Sequence, residues 1–259
     1  MDILETIVAD KKRELLLVKQ QFSIAELERD PVFSRPTISL RENLAGSSTA
    51  GIIAEFKRKS PSRGKINENA DPVKVSRGYV QAGANGLSVL TDTKYFAGCR
   101  EDLMGVREAN ECPVLRKDFM IDEYQVLEAR AWGADVILLI AAVLEKEKVR
   151  DLSALARSLG LEVLLEVHEE SELDVLNENI DIVGVNNRDL KRMITDVNTS
   201  LALSEKIPAD FLKISESGIS DAGTIRRLID QGYAGFLIGE YFMQHENPAE
   251  ACRELIEGL

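Results

Sequence analysis

One phrase recurs along this chain: a segment with helical spacing of its apolar residues, then a glycine, then a short apolar run. It reads AGANGLSVL, WGADVILLI, LGLEVLLEV and QGYAGFLIG, with Gly83, Gly133, Gly160 and Gly232 closing segments such as PVKVSRGYVQAG and EKEKVRDLSALARSLG. Glycine ends helices by adopting the left-handed conformation that side chains disfavour, so each phrase is a helix stop followed by a strand start. Apolar runs of strand character occur at residues 51–57, 86–92, 113–119, 135–143, 162–167, 181–187, 211–217 and 235–240. Strict alternation of strands and helices predicts an α/β fold with a parallel sheet, and eight such units predict a (β/α)8 TIM barrel. An open doubly wound sheet is the alternative, but no GxGxxG follows any strand.

The chain's 259 residues suit one barrel domain spanning 1–259, with residues 1–48 as an N-terminal helical extension. That extension predicts a helix over 2–20, a short helical phrase over 23–30, the loop PVFSRPTISLREN and a Gly/Ser/Thr-rich passage into the first strand. Two positions are open to it, a plug under the barrel or a cap near its mouth. Sequence alone favours neither, although direct entry into strand one would place it near the bottom.

Acidic residues outnumber basic ones 44 to 32, a formal charge of −12, which argues against nucleic-acid and anionic-membrane partners. An anionic ligand then needs a local basic cluster. Cys99, Cys112 and Cys252 are odd in number and lack CxxC spacing, so neither a disulfide framework nor a zinc site is expected. With only His168 and His245, a multi-histidine metal centre is not expected either. The first residues lack the apolar core of a signal peptide, and no run reaches membrane-spanning length, so the expected location is the cytoplasm.

The chemistry concentrates in IIAEFKRKSPSRG, residues 52–64, where Glu55 and Lys57 point to one side of an otherwise apolar strand. A purely structural strand has no reason to bear that desolvation cost. The other strand ends carry Asp92, Lys117 and Asp118, Glu166, Asn186 and Asn187, Glu216 and Ser217, and Gly239 and Glu240. Each alone reads as a solvated loop residue or an internal ion pair; together, on the face where barrels place active sites, they predict one. Lys57 and Lys117 are candidate acids if their surroundings lower their proton affinity, and Glu166, inside VLLEV, is a candidate base with a raised pKa. His168, beside two further glutamates, reads as a loop or helix-cap residue. Ser217, Gly218 and Gly239 end the last two strands and suit a phosphate, with Lys59 to neutralise it.

The motifs IAEFKRKSPS, YFAGCREDL, LRKDFMID, VLLEVH, VGVNNRDL, ISESGIS and LIGE, with the leader LETIVADKKREL, resemble in order those of indole-3-glycerol phosphate synthases. The resemblance runs from the leader to the last strand. It implies a carboxy-lyase of tryptophan biosynthesis that converts 1-(2-carboxyphenylamino)-1-deoxyribulose 5-phosphate to indole-3-glycerol phosphate, with loss of carbon dioxide and water. It implies no metal or other cofactor, a phosphorylated small-molecule substrate, and a monomer, with a weak dimer as the alternative. Residue by residue, it implies that Lys117 is the principal general acid, that Lys57 contacts the substrate carboxylate as a second acid, and that Glu166 is the base for dehydration. Glu55 and Asn186 would orient the amine and hydroxyl, Arg188 would lie near the carboxylate end, and Glu216 and Ile219 would flank the ring. Lys59, Ser60, Ser217, Gly218, Gly239 and the backbone of Glu240 would take the phosphate, and Phe96, Phe119 and Leu138 would wall the aromatic ring. Cys99 replaces a serine common in the family, and the leader lacks the aromatic residue that some members place over the substrate.

A phosphoribosylanthranilate isomerase would need a cysteine at a strand end, and none is present. A Schiff-base aldolase would need one buried lysine trapped by borohydride, and a non-catalytic barrel would tolerate loss of Lys117.

Overall fold

The computed structural model describes residues 3–47, 50–189 and 194–259. Asp2 of the leader helix, Ser48 and Thr49 of the Gly/Ser/Thr passage and Leu190 of VGVNNRDL lie outside the described residues. Eight strands, β1 (Gly51–Phe56), β2 (Gly86–Leu90), β3 (Val114–Lys117), β4 (Val136–Ile140), β5 (Glu162–Val167), β6 (Ile182–Asn186), β7 (Leu212–Glu216) and β8 (Gly235–Ile238), close into a barrel. Every pairing within it is parallel, and β1 closes the ring on β8 with Gly51 opposite Gly235. The four glycines of the recurring phrase all have positive φ, from 76° to 103°, as the helix stops require.

Strand residues divide by parity into two cores. Ile53, Leu115, Val136, Leu138, Leu164, Ile182, Ile214 and Leu237 fill the barrel interior. Ile52, Ala54, Val89, Val114, Ile137, Leu139 and Val163 pack outward under the helices. This two-sided burial is why the strands read as continuous apolar runs rather than alternating ones.

The extension occupies both of the positions left open for it. Helix α1 (Ile3–Gln21) brings Ile3, Leu4 and Ile7 to the cavity at the mouth. The chain then descends the outside of the barrel, where Leu15 of α1 and Leu27 of the second helix, α2 (Ile24–Arg29), pack with Tyr124, Leu127 and Ala131. At the bottom, the segment expected to be a loop contains a third helix, α3 (Leu40–Ala45), capped by Ser39, whose Oγ accepts from Glu42 N–H at 3.0 Å. Leu40 and Leu44 of α3 enter the interior core and close the floor. Carboxylates at the strand starts fasten it: buried Asp135 accepts from Arg35 and from Ile38 N–H, and half-buried Glu162 accepts from the N–H groups of Leu40 and Arg41. Lys11 lies on the buried α1 stripe of Leu4, Ile7 and Leu15, 3.0 Å from both Asp92 and Asp118. No described helix is long and apolar enough to cross a membrane.

Candidate active site

The inward parity of each strand continues past its C-terminal end, and this assembles the site. Ile53 is core while Glu55 and Lys57 above it line a cavity; Leu115 leads to Lys117, Leu164 to Glu166, Ile182 to Asn186, and Ile214 to Glu216. The cavity holds about 660 Å³, and every expected site residue lines it except Lys59 and Asn187. The Lys59 ammonium instead donates to the Lys94 carbonyl at 3.2 Å.

Lys117 stands at the centre. Its Nζ lies 2.9 Å from Glu166 Oε2 and 2.9 Å from Glu216 Oε2. Burial works against its charge, but Glu166 and Glu216 outweigh burial and raise its proton affinity above the ordinary lysine range. The expectation of a lysine with lowered proton affinity is therefore corrected: its neighbours are anions, not cations. Glu166 is corrected as well. Burial pushes its pKa up, yet Lys117, His168 and Asn186 hold it below the usual glutamate value. The raised carboxyl is Glu216, which burial drives to about 7, with Lys117 opposing and Glu166 reinforcing the rise. Glu216 Oε1 is buried and finds no hydrogen-bond partner among the described residues.

Two glycines make room for these carboxylates. A Cβ on Gly184 would fall 2.4 Å from Glu216 Oε1, and one on Gly239 would fall 2.5 Å from Glu55 Oε1. Glu55 pairs with Lys57 at 2.8 Å, so each of the two site lysines faces a carboxylate. Phe96 and Phe119 form a tilted pair, 6.2 Å between ring centroids, and with Leu138 they give the cavity an apolar wall. Ile219 and the α1 residues Ile3, Leu4 and Ile7 also line the cavity.

At the glycine-lined end, Ser217 and Gly218 both take left-handed backbone conformations, with φ of 67° and 73°. For Ser217 this is uncommon. Asn187 supports the turn by donating to the Ser217 carbonyl at 3.0 Å. The cations beside it are Arg63 and Arg188, not Lys59: Arg63 Nε donates to Glu240 at 2.7 Å, and Arg188 donates to Glu240 at 3.0 Å and to Ser62. Arg188 also donates from Nε to Thr195 Oγ1 at 3.2 Å. The Glu240 carboxylate, expected to stand aside, binds both arginines. Ser60, buried beneath them, accepts from Arg63 N–H at 3.2 Å.

The sequence does not announce Lys11, or the roles of three residues it does bring forward. Asp92 and Asp118, among the polar strand ends, serve structure, since both hold Lys11. Lys11 itself had a signal, because it occupies a core position of the α1 stripe. His168 sits in the bend after β5, as expected for a loop residue, but it shares Glu166's parity and its Nε2 lies 3.5 Å from Glu166 Oε1.

Comparison with known proteins agrees with this geometry. The family model described as indole-3-glycerol phosphate synthase matches residues 4–255. An indole-3-glycerol phosphate synthase of Bacteroides thetaiotaomicron is 45% identical over 258 residues, covering 100% of this chain and 99% of the relative. One from Acidithiobacillus ferrooxidans is 42% identical, with 98% of each chain covered. Among solved structures, a thiamine phosphate pyrophosphorylase from Pyrococcus furiosus superposes with a TM-score of 0.61 at 16% identity, covering 85% of this chain and 96% of that one. The α subunit of tryptophan synthase from Legionella pneumophila gives 0.60 at 14% identity, covering 85% and 94%. At those identities the two structures share the fold alone. The match of the family model across nearly the whole chain, with relatives above 40% identity over their full lengths, places this chain in the indole-3-glycerol phosphate synthase family.

Proposed function

We propose that the cavity closes the indole ring of 1-(2-carboxyphenylamino)-1-deoxyribulose 5-phosphate, with loss of carbon dioxide and then of water. The observation that carries this reading is Lys117 Nζ within 2.9 Å of both Glu166 and Glu216 beside an apolar wall. The ring carbon attacks the ketone carbon while Lys117 supports and protonates the ketone oxygen. Glu166 and Glu216 take two of the three ammonium donors of Lys117, and the third is left for the substrate oxygen. Lys57 meets the substrate carboxylate. Departure of carbon dioxide restores aromaticity after ring closure, so the carboxylate leaves without an external electron sink.

Dehydration then needs a base and a proton donor. Glu166, held ionised, is the base, and Glu55 and Asn186 orient the amine and the hydroxyl. Glu216 has a free oxygen and a pKa of about 7, which suit it to exchange a proton with the leaving hydroxyl. Phe96, Phe119 and Leu138 enclose the aromatic ring. Ser60, Ser217, Gly218, Gly239 and the backbone of Glu240 receive the phosphate. Lys59 joins them by releasing the Lys94 carbonyl, and Arg188 supplies a second cation. Binding both anionic ends of a flexible substrate forces the reacting carbons together.

The test is incubation of the purified protein with that substrate while indole fluorescence is followed, with Lys117→Ala alongside. The wild type should generate the signal and the variant should lose at least about 10³-fold in kcat while still binding substrate. Near-native turnover by the variant would remove Lys117 from the acid role.

A further inference from the structure

His168 follows β5 by one residue, and its ring nitrogens are buried between two carboxylates. Its Nε2 lies 3.5 Å from Glu166 Oε1 and its Nδ1 lies 3.4 Å from Glu172 Oε2. Glu172 Oε2 also accepts the His168 main-chain N–H at 2.6 Å, which fixes that carboxylate against the ring. Neither ring nitrogen has a hydrogen-bonding partner of ordinary geometry among the described residues. A neutral imidazole carries one N–H and one lone pair, so in this slot its lone pair would face a carboxylate oxygen. Only the imidazolium, a donor at both nitrogens, matches both neighbours.

We infer that His168 is a positioning residue that, as an imidazolium clasped between Glu172 and Glu166, aims the Glu166 carboxylate and keeps it ionised for catalysis. The inference rests on the reading of Glu166 as the base. Glu166 is then gripped on both oxygens, by Lys117 at Oε2 and by His168 at Oε1. A cation at each oxygen restricts the turning of its carboxylate plane, and a base that accepts a proton from one direction gains from that restriction. The charged groups facing the ring are Glu166 from β5 and Glu172 from the turn at Glu170–Val175, with Glu216 of β7 behind them. Lys117 is the cation on the far side of Glu166. Burial works against the imidazolium, but Glu172 and then Glu166 more than offset it, so the net direction is toward protonation.

With only two histidines in the chain, ring nitrogen spectra resolve the question directly, and His245→Asn assigns the signals. The His168 ring should titrate above pH 6.5, with both nitrogens protonated at pH 6, and Glu166→Gln should lower its midpoint. A ring that is neutral at pH 6, or a midpoint unmoved by Glu166→Gln, overturns the inference. In kinetics, His168→Gln should lower kcat by about tenfold or more with KM within about twofold. Its acid limb in the pH–rate profile should move to higher pH, and the alkaline limb caused by loss of the imidazolium should vanish. If Glu166→Gln retains full turnover, the base reading itself fails. If Glu166→Gln is inactive while His168→Gln keeps the wild-type kcat and pH profile, only the role of His168 fails. Should His168→Gln not fold, the spectra of the wild type and of Glu166→Gln still decide.

Discussion

Lys11 Nζ in α1 lies 3.0 Å from the carboxylate of Asp118, the residue that directly follows Lys117. This contact ties the helix over the mouth to the strand that carries the central lysine. Replacing Lys11 with methionine leaves Asp92 and Asp118 buried without that cation. The expected loss of stability in urea unfolding is about 3 to 5 kcal/mol. KM should rise as well, because Ile3, Leu4 and Ile7 leave the cavity with α1.

The same contact sets an acid limit. Burial opposes the charge of Asp118, but Lys11 and Arg116 pull its pKa down to about 2. A folded pKa below the unfolded value means that its contribution is present above about pH 4 and is lost as pH falls toward 2. In Lys11→Met the folded pKa should rise, so unfolding on acidification should begin at higher pH. An unchanged acid midpoint by circular dichroism would count against Lys11 as the cause.

Glu216 has the opposite sign. Its folded pKa of about 7 lies above the unfolded value, so its stabilising contribution is complete below about pH 4.5 and is lost as pH rises through 7. Glu216→Gln should flatten the pH dependence of stability between pH 4.5 and 8 by on the order of 1 to 3 kcal/mol, while activity falls. Urea unfolding of both proteins at pH 5 and pH 8 measures the difference.

Gly184→Ala tests the space reserved for that carboxylate. Its Cβ, 2.4 Å from Glu216 Oε1, would push Glu216 off Lys117, costing about 1 to 3 kcal/mol and lowering kcat more than it changes KM. Truncating Glu216 in the same chain should recover part of the stability but none of the activity. Additive losses in the double variant would show that the two residues do not compete for space.

Lys59→Ala should raise KM about tenfold and weaken competition by inorganic phosphate, the loss of one charge-assisted contact. Arg188→Ala should act in the same direction. If KM and phosphate inhibition stay at wild-type values in Lys59→Ala, then Lys59 keeps its bond to the Lys94 carbonyl during turnover and Arg188 is the working cation.

Most of the barrel was legible because period and punctuation agree: apolar runs buried on both faces, four of them preceded by a glycine helix stop. The site was legible for a related reason, since parity carries Glu55, Lys117, Glu166 and Glu216 inward above core residues. What parity does not give is who meets whom across the barrel. Lys117 meets Glu166 and Glu216 from β5 and β7, and those contacts reverse the proton affinities expected for Lys117 and Glu166. The helix α3 was hidden because six residues are too few to show a helical period, and its stability comes from Ser39, Glu162 and the floor of the barrel. The orientation of Lys59 was hidden because a long side chain in a loop takes its direction from neighbours that the strand pattern does not specify.

The belt formed by the first helices bears on how the chain comes off the ribosome. Ile38 and Arg35 wait for Asp135, 97 and 100 residues ahead, and Leu40 waits for Glu162, 122 residues ahead. Until those carboxylates emerge, the apolar stripes of α1 and α3 have no barrel to cover. We therefore expect nascent chains arrested before residue 131 to expose the first helices to protease, and chains arrested well beyond residue 162 to protect them, a late closure in which a segment made before the barrel is among the last to settle.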